Sequence, residues 1–239
     1  MNIAIVGYGR MGKTIERIAI ERGHSIVLKV DRDNAAIYDT DMLQAAGCDV
    51  VIEFSLPSTA LQNITTSMAA GIPHVSGTTA WLHDWPAALQ SMKQHNGTLL
   101  YASNFSVGVN ILFAINKKLA TLMNAHDQYE SSIHEVHHTG KLDAPSGTAI
   151  TLAQGIIENM ERKTDWSADS PTSRDIAVTS ERVDPAPGTH HVMFESDIDS
   201  IELIHTAKSR DGFALGAILA AEYLMDKKGL HTMADVLQL

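Results

Sequence analysis

The chain of 239 residues has little cysteine, few aromatic side chains, a shortage of positive charge and no long unbroken apolar run. Its single cysteine, Cys48, cannot close an intramolecular disulfide, so folding must rest on core packing, and a reducing compartment is expected. Beside the apolar run from Asp49 to Phe54, Cys48 reads as a packing residue and not as a reactive thiol. Only 18 Lys and Arg stand against 28 Asp and Glu, a formal charge of −10, and no basic stripe is present to follow a phosphate backbone. Nucleic-acid binding is therefore not expected. The longest apolar stretch, Phe213 to Met225, contains Glu222 and is too short to span a bilayer. The amino terminus, Met1-Asn2-Ile3-Ala4-Ile5-Val6-Gly7, lacks the basic region and cleavage site of a signal peptide and reads as a strand. No membrane partner and a cytoplasmic location are the expectations.

The length is enough for one large or two modest domains with real cores. From residue 1 to about 105, short apolar runs alternate with helical patterns. Ile3 to Val6, Ser25 to Val30, Val50 to Phe54, His74 to Ser76 and Thr98 to Tyr101 read as strands. Met11 to Arg22, Ser58 to Ala70 and Trp81 to His95 read as helices between them. Such alternation implies βαβ units and a parallel sheet. The crossover from Asp31 to Asp49 is expected to be trimmed, with only Thr40 to Ala46 able to form a short helix. After Val107 a helix over Asn110 to Asn124 leads into four strands, Tyr129 to Val136, Asp175 to Val183, His190 to Asp197 and Ser200 to Ala207, interrupted by a helix over Ala149 to Arg162. Thr164 to Arg174 and Asp184 to Gly188 read as loops. The tail from Phe213 to Leu239 reads as helical and as returning to the first domain. The expected fold class is α/β, a Rossmann-type parallel sheet over 1–106 plus 208–239, with a second α+β domain on a mixed sheet over 107–207.

Gly7-Tyr8-Gly9-Arg10-Met11-Gly12 fits the pattern GxGxxG between a first strand and a helix, the context that a dinucleotide-binding turn requires. The glycines permit the tight turn, the close approach of backbone to pyrophosphate and the packing of helix on strand, while the helix N-terminus attracts the phosphates. Asp31 ends the second strand at the spacing of a carboxylate that bonds a ribose hydroxyl. Its neighbour Arg32 is able to pair with a 2′-phosphate, so both NADH and NADPH stay open. Ligands in such sheets sit beyond the carboxyl ends of the strands, which nominates Gly77-Thr78-Thr79 and Ala102-Ser103-Asn104-Phe105 for the rest of the cofactor. As turns these segments need no function at all.

The acidic chain has one concentrated exception. His134, His137, His138 and Lys141 fall within eight residues, and Ser146-Gly147-Thr148 then opens a helix whose N-terminus favours an anion. Helix capping alone explains Ser146 or Thr148. It does not explain the cationic patch just upstream, whereas a carboxylate ligand suits both. His134-Glu135-Val136-His137-His138 also satisfies HExxH, the zinc-protease signature, with Glu158 as a conceivable third ligand. That chemistry needs a helix, and Ile133, Val136, Gly140 and Pro145 argue for a strand followed by a turn. No metal is expected.

His137-His138 followed by Lys141 and Asp143-Ala144-Pro145-Ser146-Gly147-Thr148-Ala149 resembles the motif of the 4-hydroxy-tetrahydrodipicolinate reductase family, also called dihydrodipicolinate reductases. The Gly7 to Gly12 loop, Gly77-Thr78-Thr79, Asn104 to Asn110, Ser209-Arg210, Phe213-Ala214, Gly216-Ala217 and Thr232 to Leu237 are similar to that family's landmarks, in its order and across nearly the whole chain. Two positions depart from it: Ala80 stands where the family often has a glycine, and the segment after Asp31 looks short. The resemblance implies hydride transfer from NADH or NADPH to a small cyclic dicarboxylate, in diaminopimelate and lysine biosynthesis. It implies that Ser146, Gly147 and Thr148 hold one carboxylate while His138 and Lys141 contact the other or the ring. The proton donor is His137 or Lys141, with Lys141 favoured. Domain closure over the ligands and a homotetramer assembled through the second sheet are further implications. A non-catalytic dinucleotide sensor is the competing reading, but it has no reason to gather His137, His138 and Lys141 beside an anion cradle.

Overall fold

A computed structural model of the protein describes residues 1–34 and 38–239. It divides into two compact units, Met1–Val107 with Arg210–Leu239, and Gly108–Ser209.

The first unit is built on six parallel strands. In chain order they are β1 (Asn2–Val6), β2 (Ser25–Val30), β3 (Val50–Glu53), β4 (His74–Ser76), β5 (Thr98–Tyr101) and β11 (Gly229–His231). Their order across the sheet is β11-β5-β4-β3-β1-β2. Helices α1 (Arg10–Glu21), α2 (Thr40–Ala45), α3 (Pro57–Ala69), α4 (Trp85–Gln94), α7 (Asp211–Leu224) and α8 (Met233–Leu237) complete the unit. A parallel sheet covered on both faces needs apolar residues at successive positions. In β1, Ile3 and Ile5 pack with α1 and α7 on one face, while Ala4 and Val6 pack with Val30, Leu43, Val51 and Ile72 on the other. The chain reverses direction across the sheet between β1 and β3, the place where open α/β sheets bind ligands. This is a Rossmann-type architecture.

The scarce aromatics are concentrated. Trp81 meets Tyr101 edge-on at 5.7 Å between centroids and Trp85 at 5.6 Å. Cys48 is half-buried, its Sγ donating to the Val50 carbonyl, and burial pushes the thiol pKa up to about 11.

The tail differs from the helical expectation. Only α7 and α8 are helical, and three residues between them form β11, which extends the first sheet beside β5. A three-residue strand carries too little periodicity to be read from sequence. It is set by its surroundings: Gly229 takes φ +90°, its N–H donates to the Gly97 carbonyl, and Thr98 Oγ1 donates to the carbonyl of Lys227. Helix α7 lies on α1 because its buried face is small, with Ala214, Gly216, Ala217, Ala220 and Ala221. A Cβ on Gly216 would lie 1.7 Å from the carbonyl oxygen of Phe105. The crossover after Asp31 is short, with α2 only six residues long; its part at 35–37 lies outside the described residues.

The second unit carries a five-stranded mixed sheet of β6 (Glu130–His137), β7 (Asp165–Ser167), β8 (Asp175–Arg182), β9 (Thr189–Glu195) and β10 (Ser200–Thr206), ordered β10-β9-β6-β8-β7. Strands β10, β9 and β6 are antiparallel neighbours, and β6, β8 and β7 run parallel. Helices α5 (Val107–Met123) and α6 (Gly147–Ile157) supply Leu112, Ala120, Leu152, Ala153 and Ile156 to the core on one face. The period of two in β6 puts Ser131, Ile133, Glu135 and His137 on that buried side. Two boundaries differ from expectation. Helix α6 ends at Ile157, and Arg162, expected at the end of that helix, lies beyond it and donates to the carbonyls of Met123, Asn124, His126 and Tyr129. The expected loop at 164–174 contains β7, recruited by pairing with β8.

Candidate active site

In the first unit a cavity of about 640 Å³ lies at the carboxyl ends of β1, β2 and β3, lined by Gly7, Tyr8, Gly9, Asp31, Arg32 and Ser55 among others. Gly7 has φ +93°, and a Cβ there would stand 2.0 Å from the carbonyl oxygen of Phe54. A Cβ on Gly12 would meet the Gly7 carbonyl oxygen at 2.6 Å and Ile5 Cγ2 at 3.1 Å. Gly9 is different, since nothing lies within 4 Å of a Cβ placed there. The first and third glycines thus serve the fold, and the second leaves open space at a helix N-terminus that no side chain caps. An anionic pyrophosphate suits that position. Tyr8 is held by its hydroxyl on Glu16 and by Lys29, whose ammonium lies 4.8 Å over the ring. Arg10 is exposed at the start of α1. Asp31 forms a turn, accepting from the Asp33 N–H at 2.9 Å, and Arg32 beside it is exposed.

The other expected cofactor residues are distributed unevenly. Met11, Ser103, Asn104 and Phe105 line a smaller cavity of about 190 Å³ with Arg210 and Phe213. Phe105 is itself core, 5.5 Å from the Phe54 ring. Asn104 Oδ1 accepts from the Ser106 N–H at 2.9 Å, and Ala102 is half-buried beside it. Gly77 passes so close to Phe54 that a Cβ would lie 2.2 Å from the ring. Thr78 is buried, and its hydroxyl donates to Glu53 Oε1 at 2.5 Å and accepts from Ser55 N–H at 2.7 Å. Thr79 is exposed. Trp81 Nε1 donates to the Thr78 carbonyl at 2.8 Å, which fixes the turn. The buried Glu53 carboxylate, accepting from Ser55, Ser76 and Thr78, was not singled out from sequence, where it reads only as the end of a strand.

In the second unit the cationic segment folds as a strand end, a turn and a helix start. Because His134 to His137 lie in β6, His134 and His138 are separated by about 13 Å of extended chain, too far to share one ion. His134 points away from His137 and pairs with Thr179 Oγ1 at 2.9 Å. His137 is buried, and its Nδ1 lies 3.6 Å from Glu135 Oε2 without a hydrogen bond. Its ring meets His190 edge-on at 5.0 Å. Burial lowers the pKa of His137 and outweighs Glu135, which raises it, with Lys141 and Arg182 adding to the lowering. Lys141 donates to both oxygens of Asp143 at 2.8 and 2.9 Å, and its N–H donates to the His138 carbonyl at 3.1 Å.

Ser146 is the N-cap of α6, its Oγ accepting from the Ala149 N–H at 3.2 Å, and Gly147 and Thr148 occupy the first turn. Segment 143–146 is held from below. Arg182 Nη2 donates to Glu135 Oε1 at 2.9 Å and to the Asp143 carbonyl at 2.6 Å, and the Ser146 N–H donates to the Glu135 carboxylate at 3.0 and 3.1 Å. His190 Nε2 shares a hydrogen bond with Ser146 Oγ at 3.1 Å. Burial pushes the Glu135 carboxyl up, but hydrogen bonds from Ser146, Arg182 and Ser180 outweigh it and hold the group below the usual range. Arg182 and His190 arrive from β8 and β9, and no local motif marks them. Glu135 had a readable signal, since it shares a strand face with His137.

Glu135, His137 and His190 have ligand atoms within 4.8 Å of one another, a spacing compatible with a metal. The Glu135 oxygens, however, already accept from an arginine, a serine hydroxyl and a backbone N–H, and a cation would have to sit beside Arg182. The same contacts build a hydrogen-bonded frame without an ion. A larger cavity, about 920 Å³, lies toward the other end of β6 among Glu130, Ser131, Thr172 and Glu195, and no Lys, Arg or His lines it. Among the described residues no helix is long and apolar enough to cross a membrane.

Residues 1–105 match the family model described as dihydrodipicolinate reductase, N-terminus, and residues 108–237 match the one described as dihydrodipicolinate reductase, C-terminus. A 4-hydroxy-tetrahydrodipicolinate reductase of Christiangramia forsetii is 51% identical over 99% of this chain and 98% of its own. One from Rhodopseudomonas palustris is 32% identical over 100% of this chain and 98% of its own. Among solved structures, the dipicolinate-bound dihydrodipicolinate reductase from Paenisporosarcina sp. TG-14 aligns with a TM-score of 0.78 at 20% identity, covering 98% of each chain, a likeness of fold. With two family models tiling the sequence almost end to end and half its residues shared with a full-length relative, the chain belongs to the dihydrodipicolinate reductase family.

Proposed function

We propose that this protein catalyses the NAD(P)H-dependent reduction of 4-hydroxy-tetrahydrodipicolinate to tetrahydrodipicolinate and water, in the cytoplasm, as a step of diaminopimelate and lysine biosynthesis. The observation that supports the reading is that His137, His138 and Lys141 lie in the strand end and turn that lead directly into α6, in an otherwise acidic chain. A dicarboxylate needs two anion sites, and this segment offers both a helix N-terminus and a cationic turn.

The first unit is the dinucleotide-binding domain in this reading. Gly7, Tyr8, Gly9, Arg10, Met11 and Gly12 receive the pyrophosphate, Asp31 and Arg32 the adenosine ribose, and Gly77 to Thr79 with Ala102 to Phe105 the nicotinamide half. The open space at Gly9 and the uncapped start of α1 support this fit. A reduced nicotinamide bound there supplies hydride.

The second unit binds substrate and carries the assembly surface of a homotetramer. Ser146, Gly147 and Thr148 hold one carboxylate, while His138 and Lys141 contact the other or the ring. Lys141 gives the proton that the reduced ring requires. It reaches that role by exchanging the Asp143 carboxylate for one on the substrate. His137, with its pKa lowered by burial, is suited to share the proton path as a neutral ring.

The decisive assay couples dihydrodipicolinate synthase, pyruvate and aspartate semialdehyde to the protein and follows NADH and NADPH oxidation separately. Oxidation of at least one is expected. Oxidation of neither overturns the proposal.

A further inference from the structure

Glu135 is wholly buried, yet no step of the reduction described above uses it. It lies two residues before His137 on β6, so both side chains face the same way. Its two oxygens have different neighbours. Oε1 accepts from Ser180 Oγ at 2.8 Å, Arg182 Nη2 at 2.9 Å and the Ser146 N–H at 3.0 Å. Oε2 shares the Ser146 N–H at 3.1 Å and otherwise faces two imidazoles, His137 Nδ1 at 3.6 Å and His190 Nε2 at 3.7 Å.

A buried carboxylate is costly unless it is paired and hydrogen-bonded. Arg182 meets that cost at Oε1, and the same guanidinium reaches on to the Asp143 carbonyl. Oε2 is the oxygen with capacity left. His137 Nδ1 is buried and lacks a hydrogen-bond partner, while the other edge of the ring passes Gly188, where a Cβ would come within 3.1 Å of Cδ2 and Nε2. A proton on Nδ1 is attracted by Oε2, whereas a lone pair there would face an anion. The charged and titratable groups around His137 are Glu135 on its own strand, Lys141 and Asp143 from the following turn, Arg182 from β8 and His190 from β9. Glu135 and Asp143 favour a protonated ring, and Lys141 and Arg182 oppose it.

Building on the reductase reading, we infer that Glu135 is a positioning residue: Oε1 clamps the loop that presents Ser146, Gly147 and Thr148, and Oε2 keeps the proton of neutral His137 on Nδ1. Nε2 then becomes the nitrogen that exchanges a proton with Lys141 or the substrate.

The test reads the tautomer directly. Nitrogen-15 NMR of the imidazoles in the unsubstituted protein is expected to find the His137 proton on Nδ1. In Glu135→Gln the amide oxygen keeps Arg182 and Ser180 while the amide N–H turns to His137, so the proton moves to Nε2. The acidic limb of kcat/KM against pH, which reports the neutral His137, shifts down by about one unit because the carboxylate that raises its pKa is gone. Turnover falls about tenfold or more while NADH affinity stays near the parent's, and Tm falls because Arg182 loses the buried anion it pairs with. A proton on Nε2 in the unsubstituted protein overturns the inference, and so does a Glu135→Gln pH profile that superimposes on the parent's. If the variant does not fold, the tautomer of the unsubstituted protein decides alone. Failure of the reductase reading shows separately, as absence of cofactor oxidation by the parent.

Discussion

The ammonium of Lys141 and the carboxylate of Asp143 form an ion pair at 2.8 and 2.9 Å, inside the turn that joins β6 to α6. The pair holds the proposed proton donor beside the proposed substrate loop. Lys141→Ala is expected to lower kcat about 100-fold or more, with NADH affinity, read by fluorescence titration, unchanged. Turnover near the parent's would remove Lys141 from the donor role.

The three glycines of the first loop separate fold from binding. Gly9→Ala meets no atom within 4 Å and should leave Tm essentially unchanged, while NADH affinity weakens about tenfold or more because the Cβ occupies the space for pyrophosphate. Gly7→Ala places a Cβ 2.0 Å from a carbonyl oxygen at φ +93° and should cost about 2–4 kcal/mol in urea unfolding. Equal destabilisation by both substitutions would contradict this division.

Ala80 adopts φ +63°, the left-handed region, where L side chains meet their own backbone. This is the position at which the family often carries glycine. Ala80→Gly should therefore stabilise the protein by about 0.5–1 kcal/mol, the relieved strain exceeding the glycine entropy cost. A loss of stability on urea titration would refute it.

Asp31 and Arg32 line the same cavity with opposite charges, and in the proposed reading the cofactor choice rests on their balance. Asp31→Ser removes the charge that repels a 2′-phosphate and should raise the NADPH-to-NADH ratio of kcat/KM about tenfold. An unchanged ratio would show that Asp31 does not read the ribose.

Two of the buried histidines, His74 and His190, have strongly lowered pKa values. Burial lowers the pKa of His74 to about 3, and burial with the neighbouring His137 lowers that of His190 to about 4. Above an unfolded pKa of about 6.5 neither group affects stability. As pH falls below it, the unfolded chain binds protons that the folded chain refuses, so stability declines down to about pH 3–4, by about 3 kcal/mol for His190. Glu135, with its pKa lowered, acts in the same direction at the acid end. Tm should fall steadily from pH 6.5 to pH 4, and His74→Leu should flatten part of the slope. A Tm independent of pH across that window would contradict neutral burial.

Much of the architecture was legible because the physics is local. Ile3 to Val6 and Val50 to Ile52 are apolar on both faces, as only a covered parallel strand requires, and the glycine loop between β1 and α1 follows directly. Strand β11 was not legible, since three residues pair there only because β5 and Gly229 are already placed. The inward turn of the Thr78 hydroxyl to Glu53 was not legible either, since the two residues lie on different strand ends.

Sequence by itself determined the covered parallel sheet, the strand character of the HExxH segment and the concentration of cations from His137 to Lys141 before a helix start. These follow from periodicity, propensity and charge within a few residues of one another. Only the tertiary structure decided that Arg182 and His190 converge on Glu135 beneath that helix, and that Lys141 is paired with Asp143. Sheet pairing brings residues more than forty positions apart into hydrogen-bonding reach, and no local pattern encodes which buried charge will find which partner.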